Sequence, residues 1–283
     1  MPAPTSSRWQ RLIVRSAFTV GSITVSGLVV RQFFRMQARA ARGTIGSTLG
    51  EAAHEADRLY KKKYGHPVEL LLMGDSIAAG LGAERPKDTL GAQLASRLAK
   101  RAKRSVSLYT AARVGSETSM LRDQLACLPV GFVAHVAVIV VGGNDVTHRV
   151  KTAESTRHLA EVVGELRARG TQVVVGTCPD LGALSAVPQP LRSVGGRASR
   201  QLAAAQRQVV TESGGRAVSL ADVVGPFFLA QPDQMFSLDR FHPSSAGYRR
   251  TAKAILPSVL AALGLEDNVP FGHHPPAVSI PSA

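Results

Sequence analysis

The sequence predicts an α/β fold in which helices cover both faces of a parallel β-sheet. Short, continuous apolar runs of the kind that form buried strands recur along residues 68–264. Between them lie longer segments whose apolar residues are spaced three or four apart, as on one face of a helix. This alternation of strand and helix is typical of parallel sheets covered on both sides. A chain of 283 residues, 45% of them hydrophobic, is long enough for one such domain with extensions.

The same patterns give the order of the elements. The run VELLLM predicts a first strand, and Leu90, Leu94 and Leu98 form the apolar stripe of the helix that follows. The run at 133–141 is the most apolar strand candidate of the chain. In chain order, we predict strands at 68–73, 105–109, 133–141, 172–175 and 217–220, and helices at 88–103, 120–128, 152–169, 198–212 and 244–263.

Two segments interrupt this alternation. Residues 177–197 contain three prolines and three glycines, and residues 221–236 contain the pair Phe227-Phe228. Both segments are candidates for loops that shape a pocket at the carboxyl end of the sheet, where ligands bind in open α/β folds. The first segment could equally be an ordinary surface connection. In the second, the phenylalanines could simply pack in the core.

The segment before the domain, residues 1–43, is basic and apolar. Three arginines precede the apolar run 16–30, and four more follow it directly. We expect a membrane-associated helix within residues 12–42, either an uncleaved anchor or an interfacial helix. A cleaved signal peptide and a purely structural helix are the alternatives, although arginine directly after the apolar run does not suit a cleavage site. This places the protein at a membrane or in the cell envelope, without deciding on which side.

The two segments that flank the domain are polar. Residues 44–67 are interpreted as a polar connector that favours a helix around EAAHEADRLYKKK. The tail, 265–283, is rich in proline, serine and histidine, and we expect it to be disordered.

The positive charge of the chain is concentrated in its N-terminal part. Of a net charge of +14, residues 1–66 carry +8. A basic arm of this kind suits anionic lipid head groups at least as well as nucleic acid. Because the sequence has no nucleic-acid-binding motif and only 5% aromatic residues, we expect no nucleic-acid partner.

Cys127 and Cys178 each adjoin apolar residues and are expected to be buried free thiols.

A candidate nucleophile follows the first strand. Gly74-Asp75-Ser76 comes directly after the run 68–73, and a serine at such a strand-to-helix turn has its hydroxyl at the edge of the sheet. The backbone N–H of the same residue can then donate to an oxyanion formed there. The segment is not the G-x-S-x-G turn of α/β-hydrolases, because Ala78 occupies the position of the second glycine.

A candidate base precedes the last helix, in the segment Asp239-Arg240-Phe241-His242-Pro243. A histidine activates a serine when Nε2 faces the hydroxyl and an acceptor holds the proton on Nδ1. A carboxylate three residues earlier on the same turn can reach that position. This spacing therefore predicts His242 as the general base and Asp239 as the residue that orients it.

Two further segments could supply hydrogen-bond donors. Gly142-Gly143-Asn144-Asp145 ends the most apolar strand, where the Asn144 side-chain amide could donate to an oxyanion. Gly115 follows the second strand and offers a backbone N–H. Together with the N–H of Ser76, these groups could surround one point near the serine hydroxyl.

These four segments, taken in order, resemble the four conserved blocks of the SGNH (GDSL) hydrolase family. The resemblance covers residues 68–264, and the segments GGNDVTHRV, VVVGTCPDLG and DRFHPSSAGY are similar to the actinobacterial branch of GDSL-type esterases and lipases. It implies a three-layer α/β/α sandwich with a flavodoxin-like parallel sheet. It also implies a catalytic triad of Ser76, His242 and Asp239, and an oxyanion hole made by Ser76, Gly115 and Asn144. Asp75 and Asp145 are then mainly structural.

The predicted activity is hydrolysis of carboxylic esters, with no metal ion and no cofactor. The same residues would serve an acyltransferase, which is the main alternative. A metal-dependent phosphoesterase would need clustered ligands, and the remaining histidines lack the D-x-H or G-H-x-H spacing of such sites. A non-catalytic binding module is a further alternative. For the substrate, the basic arm and the 226–228 segment favour an acylated lipid or glycolipid over small soluble esters.

Overall fold

Seven strands form one sheet in the order β1-β3-β2-β4-β5-β6-β7. The computed structural model describes residues 52–277 together with Gln32, Met36 and Gln37. Its strands are β1 (Leu59–Tyr60), β2 (Val68–Gly74), β3 (Val106–Thr110), β4 (Val136–Val140), β5 (Gln172–Gly176), β6 (Arg216–Val218) and β7 (His273–His274). Strands β3, β2, β4, β5 and β6 are parallel to one another, and the two short edge strands are antiparallel to their neighbours.

Helices connect the parallel strands and cover both faces of the sheet. They are α1 (Ser76–Ala79), α2 (Leu90–Ala102), α3 (Leu121–Ala126), α4 (Gly143–His148), α5 (Thr152–Ala168), α6 (Leu191–Glu212), α7 (Leu220–Val223), α8 (Gly225–Ala230), α9 (Pro232–Met235) and α10 (Ser245–Ala262). Short 3₁₀ turns lie at Lys62–Tyr64, Pro86–Asp88, Thr118–Met120 and Leu181–Ala183.

The central strand β4 shows why the sheet needs two helical layers. All five of its residues are buried, and successive side chains point to opposite faces. Val136, Val138 and Val140 pack in the core that contains α2 and α10, whereas Ala137 and Ile139 pack in the core that contains α3, α5 and α6. A continuous apolar strand therefore buries both of its faces, and the predicted α/β fold with a parallel sheet is confirmed.

The order of the five parallel strands is that of flavodoxin-like folds. The first of them, β2, lies between β3 and β4, so the chain leaves β2 to one side and later returns to the other. Connections from neighbouring strands diverge at such a point and leave a crevice at the carboxyl ends of the strands. The crevice of this sheet lies between the ends of β2 and β4.

The prediction of a helix-favouring connector at residues 44–67 is partly wrong. Residues 52–67 contain no α-helix, and Leu59 and Tyr60 pair with β3 as an antiparallel edge strand. The Asp57 carboxylate accepts hydrogen bonds from the N–H of Thr110 at 2.7 Å and from its hydroxyl at 2.6 Å. These long-range contacts, together with burial of Tyr60, outweigh the local helical preference of the segment.

The expectation of a disordered tail is also wrong, at least up to residue 277. Strand β7 pairs with β6 and closes the far edge of the sheet. The His273 ring is largely buried, and its Nδ1 lies 2.7 Å from the Ser258 hydroxyl on α10. Pairing with an otherwise open sheet edge orders a segment whose composition alone predicts disorder.

Helix α6 begins at Leu191, before the predicted start at residue 198. Its first turns pack on the 3₁₀ turn Leu181–Ala183, where the N–H of Leu181 donates to the Ser199 hydroxyl and Arg200 pairs with Asp180. The Pro- and Gly-rich segment is therefore held against a helix instead of running freely over the surface. The short helices α1, α4, α7, α8 and α9 are too short to show a period in the sequence.

The prediction of a membrane-associated helix within residues 12–42 falls on residues outside those that the structure describes. Across 52–277 and the three isolated residues, no helix is long and apolar enough to cross a bilayer.

The edge strand β1 gives the first testable prediction. Tyr60 is 7% exposed and its hydroxyl donates to the Ala56 carbonyl, whereas its neighbour Leu59 is 43% exposed. We expect Tyr60→Ala to lower the free energy of unfolding by about 3 kcal/mol, because it empties a buried aromatic site. The control Leu59→Ala should cost no more than about 0.5 kcal/mol. Urea unfolding measures both, and equal effects would mean that β1 does not pack on the domain.

Candidate active site

Ser76 lies at the carboxyl edge of the sheet, where β2 turns into helix α1. The N–H of Asp75 still donates to the Val140 carbonyl at 3.0 Å, and the Asp75 side chain then caps α1 by accepting from the N–H of Ile77 at 2.9 Å. Gly74 makes this turn possible. Its φ is +130°, and a β-carbon there would lie 1.9 Å from the Val140 carbonyl oxygen, so only glycine fits.

Asp239 and His242 lie on one tight turn before helix α10. One oxygen of the Asp239 carboxylate accepts from the N–H groups of Phe241 and His242, both at 3.0 Å. The other lies 2.5 Å from Nδ1 of the His242 ring. The carboxylate therefore shapes the turn and also orients the ring that the turn carries.

Ser76 and His242 are within hydrogen-bond distance, although 166 residues separate them in the chain. His242 Nε2 lies 2.9 Å from the Ser76 hydroxyl oxygen, and both side chains are largely buried. Two further hydrogen bonds join the segment after α1 to the start of α10: the Tyr248 hydroxyl donates to the Leu81 carbonyl, and the N–H of Glu84 donates to the Ser245 hydroxyl. These contacts hold the histidine turn beside the serine turn.

The Asp239 carboxylate is held in its ionised form. Burial raises its pKa, but hydrogen bonds from the His242 ring and from the Phe241 and His242 N–H groups oppose burial and outweigh it. The resulting pKa lies below the ordinary value for aspartate. An ionised carboxylate on Nδ1 keeps the proton on that nitrogen, which leaves Nε2 free to accept the serine proton.

The three predicted oxyanion donors belong to segments that adjoin one another. Ser76 and Asn144 both line one cleft, at the ends of β2 and β4. The Asn144 side-chain nitrogen donates to the Ser116 carbonyl at 2.9 Å, which leaves its second hydrogen for another acceptor. Gly115, exposed and with φ +81°, is the residue just before Ser116. Among the described residues, the backbone N–H groups of Ser76 and Gly115 have no hydrogen-bond acceptor.

Asp75 and Asp145 are buried beside these donors and contact the backbone. The Asp145 carboxylate accepts from the N–H of Thr118 at 3.1 Å, so it holds the segment that follows Gly115. Burial raises the pKa of Asp75 to about 7, against the opposing effects of the Ile77 N–H and the nearby His242. These contacts fit the structural role that the resemblance implies for both residues.

An apolar cleft extends from Ser76. It encloses about 770 Å³, its open mouth included. Its polar end holds Ser76 and Asn144, and most of the remaining wall is apolar, lined by Leu181, Ala183, Leu184, Leu220, Val224, Phe228, Phe236 and Phe241. Both predicted pocket-forming segments, 177–197 and 221–236, contribute to this wall. The prediction that they shape a pocket is therefore confirmed, and Phe228 lies both in the core and on the cleft.

The sequence reasoning missed one buried residue next to the site. Gln124, on α3, is 1% exposed, and its side chain bonds the backbone of Gly74. A signal for it exists in the sequence: Leu121, Gln124, Leu125 and Leu128 follow helical spacing, so the glutamine lies on the apolar face. A polar residue at such a position indicates a buried hydrogen-bonding role.

Both cysteines are free, but only one of them is buried as predicted. Cys178 is buried and free as predicted, and burial raises the pKa of its thiol well above the ordinary value. Cys127 is free but exposed, so the prediction of burial is wrong there. It follows the short helix α3, which ends one residue earlier, and the Arg113 guanidinium lies 3.2 Å from its sulfur.

Comparison with known proteins gives consistent matches. The model of the GDSL-like lipase/acylhydrolase family matches residues 72–250. A GDSL-like esterase of Mycobacterium tuberculosis is 35% identical over 271 residues, which cover 91% of this chain and 86% of that protein. Among solved structures, TesA superposes with a TM-score of 0.57 at 24% identity, over 69% of this chain and 99% of that one. The lipase/acylhydrolase of Enterococcus faecalis gives 0.56 at 19% identity, over 69% and 96%.

The buried Asp75 gives a prediction about pH. The carboxyl ionises near its ordinary pKa of 3.8 in the unfolded chain but holds its proton until about pH 7 in the folded protein. The stability that Asp75 contributes is therefore complete below about pH 4 and is lost as the pH rises to about 7. Asp75→Asn removes this dependence, so its stability relative to the wild type should rise across that interval and level off above it.

Thermal unfolding of wild type and Asp75→Asn from pH 4 to pH 8 measures the effect. The exposed Asp123→Asn serves as the control and should follow the wild type in parallel. A constant difference between Asp75→Asn and the wild type at every pH would contradict the raised pKa.

Proposed function

The chain belongs to the GDSL-like lipase/acylhydrolase family and is an esterase of that type, and we propose that it cleaves carboxylic esters through Ser76, His242 and Asp239. The observation that carries this proposal is the 2.9 Å distance between His242 Nε2 and the Ser76 hydroxyl oxygen. Two turns from opposite ends of the domain's sequence present a hydroxyl and an imidazole to each other. A purely structural hydrogen bond would not also require a buried carboxylate on the other ring nitrogen.

The proposed reaction has two steps. His242 Nε2 takes the proton of Ser76 as the hydroxyl oxygen attacks the ester carbonyl, and it then protonates the departing alcohol. Water then attacks the acyl-enzyme while His242 takes its proton, and His242 returns that proton to the Ser76 oxygen as the carboxylic acid leaves. Asp239 keeps the ring oriented and stabilises the imidazolium that forms in each step.

The negative charge that develops on the carbonyl oxygen needs donors that are already in position. We assign this role to the backbone N–H groups of Ser76 and Gly115 and to the free hydrogen of the Asn144 amide. Two observations support this assignment. Each of the three groups has a hydrogen that bonds no acceptor among the described residues, and the segments that carry them are in direct contact. Preorganised donors of this kind stabilise a transition state without a cost of reorganisation during the reaction.

The cleft wall supports an apolar acyl group on the substrate. An ester whose carbonyl lies at Ser76 can extend its acyl chain along Leu184, Val224 and Phe228, which exclude water from it. An acylated lipid or glycolipid would fit this wall. The predicted association of residues 12–42 with a membrane would bring the enzyme close to such a substrate.

Turnover of a p-nitrophenyl ester series from acetyl to palmitoyl tests the proposed mechanism. We expect Ser76→Ala to lower kcat by several orders of magnitude, because the nucleophile is lost. A fluorophosphonate should label the wild type and leave Ser76→Ala unlabelled. If folded wild type is labelled at Ser76 but hydrolyses no ester, an acyltransferase is favoured. Turnover that survives in Ser76→Ala would overturn the proposal.

The cleft wall gives a separate prediction about chain length. Val224 is buried and lines the cleft, so Val224→Phe should fill part of the space for the acyl chain. We expect kcat/KM to fall about tenfold more for octanoyl than for acetyl esters, since a few lost methylene contacts are worth this much. Leu229→Phe, on an exposed position of α8, is the matched control and should leave the ratio unchanged. An unchanged ratio in Val224→Phe would place the acyl chain elsewhere.

A further inference from the structure

We propose that Ser116 and Gln124 are positioning residues that hold the three oxyanion donors at fixed positions relative to one another. Neither residue touches the proposed reacting atoms. Their hydrogen bonds instead link the segments that carry Ser76, Gly115 and Asn144. This inference rests on the function proposed for those donors, and it assigns a role to a buried helix residue outside the four conserved blocks.

Gln124 adds hydrogen bonds to the backbone of β2 where the regular pairing with β3 has ended. Strand β2 pairs regularly with β3 only as far as Leu72 and Thr110, and past that point the N–H of Arg113 still donates to the Gly74 carbonyl at 3.1 Å. Gly74 lies beyond that point, and the Gln124 amide bonds it on both sides. The N–H of Gly74 donates to Gln124 Oε1 at 2.9 Å, and Gln124 Nε2 donates to the Gly74 carbonyl at 2.8 Å. The N–H of Gly74, two residues before Ser76, is therefore held by a side chain from α3, and its carbonyl accepts from both that side chain and the Arg113 N–H.

The same amide also binds the segment that carries Gly115. Gln124 Nε2 donates to the Ser116 hydroxyl at 3.1 Å, so both of its hydrogens are used. The Ser116 carbonyl, in turn, accepts from the Asn144 side chain at 2.9 Å. A continuous chain of hydrogen bonds thus runs from Gly74 through Gln124 and Ser116 to Asn144.

Packing alone does not explain a glutamine at this position. Its neighbours on α3, Leu121 and Leu125, pack in the apolar core under the sheet, and Gln124 is as buried as they are. Burial of an amide is unfavourable unless its polar atoms are bonded, and here every Gln124 bond goes to Gly74 or Ser116. The amide is therefore placed to connect these two segments.

The predicted effect is on the transition state. Loss of the link leaves the donors present but less well held, and small displacements of catalytic groups lower the rate of the chemical step. We expect Ser116→Ala and Gln124→Met each to lower kcat about tenfold with little change in KM. Removal of a donor itself, in Asn144→Ala, should cost more, about 10²–10³-fold.

The experiment is a double-mutant cycle on the ester substrates in the full-length protein. Because Gln124→Met already removes the hydrogen bond to the Ser116 hydroxyl, Ser116→Ala/Gln124→Met should lose little more kcat than Gln124→Met alone. Ser116→Thr keeps the hydroxyl and should recover most of the lost activity. Ser116→Ala removes a single atom, so it tests the proposal even if Gln124→Met fails to fold.

Leu125→Ala separates positioning from general stability. It removes a buried side chain from the same helix, so it should lower the unfolding temperature without lowering kcat. The proposal is overturned if Ser116→Ala keeps kcat within twofold of the wild type, or if Leu125→Ala lowers kcat as much as Ser116→Ala does. Failure of the proposed function would look different, since Ser76→Ala would then remain active.

Discussion

At the end of strand β2, the backbone of Gly74 lies against the Val140 carbonyl so closely that no side chain fits between them. This approach is possible because β2 and β4 are neighbours in the sheet although β3 lies between them in the sequence. The chains that leave the two strands diverge, and they carry Ser76 and Asn144 to the two sides of one crevice. The cleft, the donors and the histidine turn are all arranged around this point of contact.

The site combines segments that only the fold brings together. The serine turn and the Gly115 segment come from the first half of the domain, whereas His242 belongs to the turn before the last helix. Contacts from Tyr248 to Leu81 join the two halves, and the buried amide of Gln124 fixes the backbone behind the serine. A site built from strand ends and buried hydrogen bonds needs no large rearrangement to present the oxyanion donors proposed above.

The sequence predicted the five parallel strands because each is a short continuous apolar run, and five helices because their apolar residues recur every three or four positions. It failed where local pattern and tertiary contact disagree. The segment around Tyr60 has helix-favouring composition but forms an edge strand, since Asp57 and Tyr60 bond and pack on β3 and its neighbours. His273 lies in a stretch whose composition predicts disorder, yet it adds a strand to an open edge. In both cases the sheet supplies hydrogen-bond partners that no local pattern shows.

For the site, the sequence by itself determined which residue types are available and where they lie relative to strand ends. Ser76, Asn144, Gly115, Asp239 and His242 could be named because each occupies a recognisable turn. Only the tertiary structure decided that Ser76 and His242 meet, that Gln124 joins Gly74 to Ser116, and that Val224 and Phe228 line a cleft beside the serine. The physical reason is that strand ends and turns are specified by neighbouring residues, whereas distances across the site depend on how helices pack on the sheet.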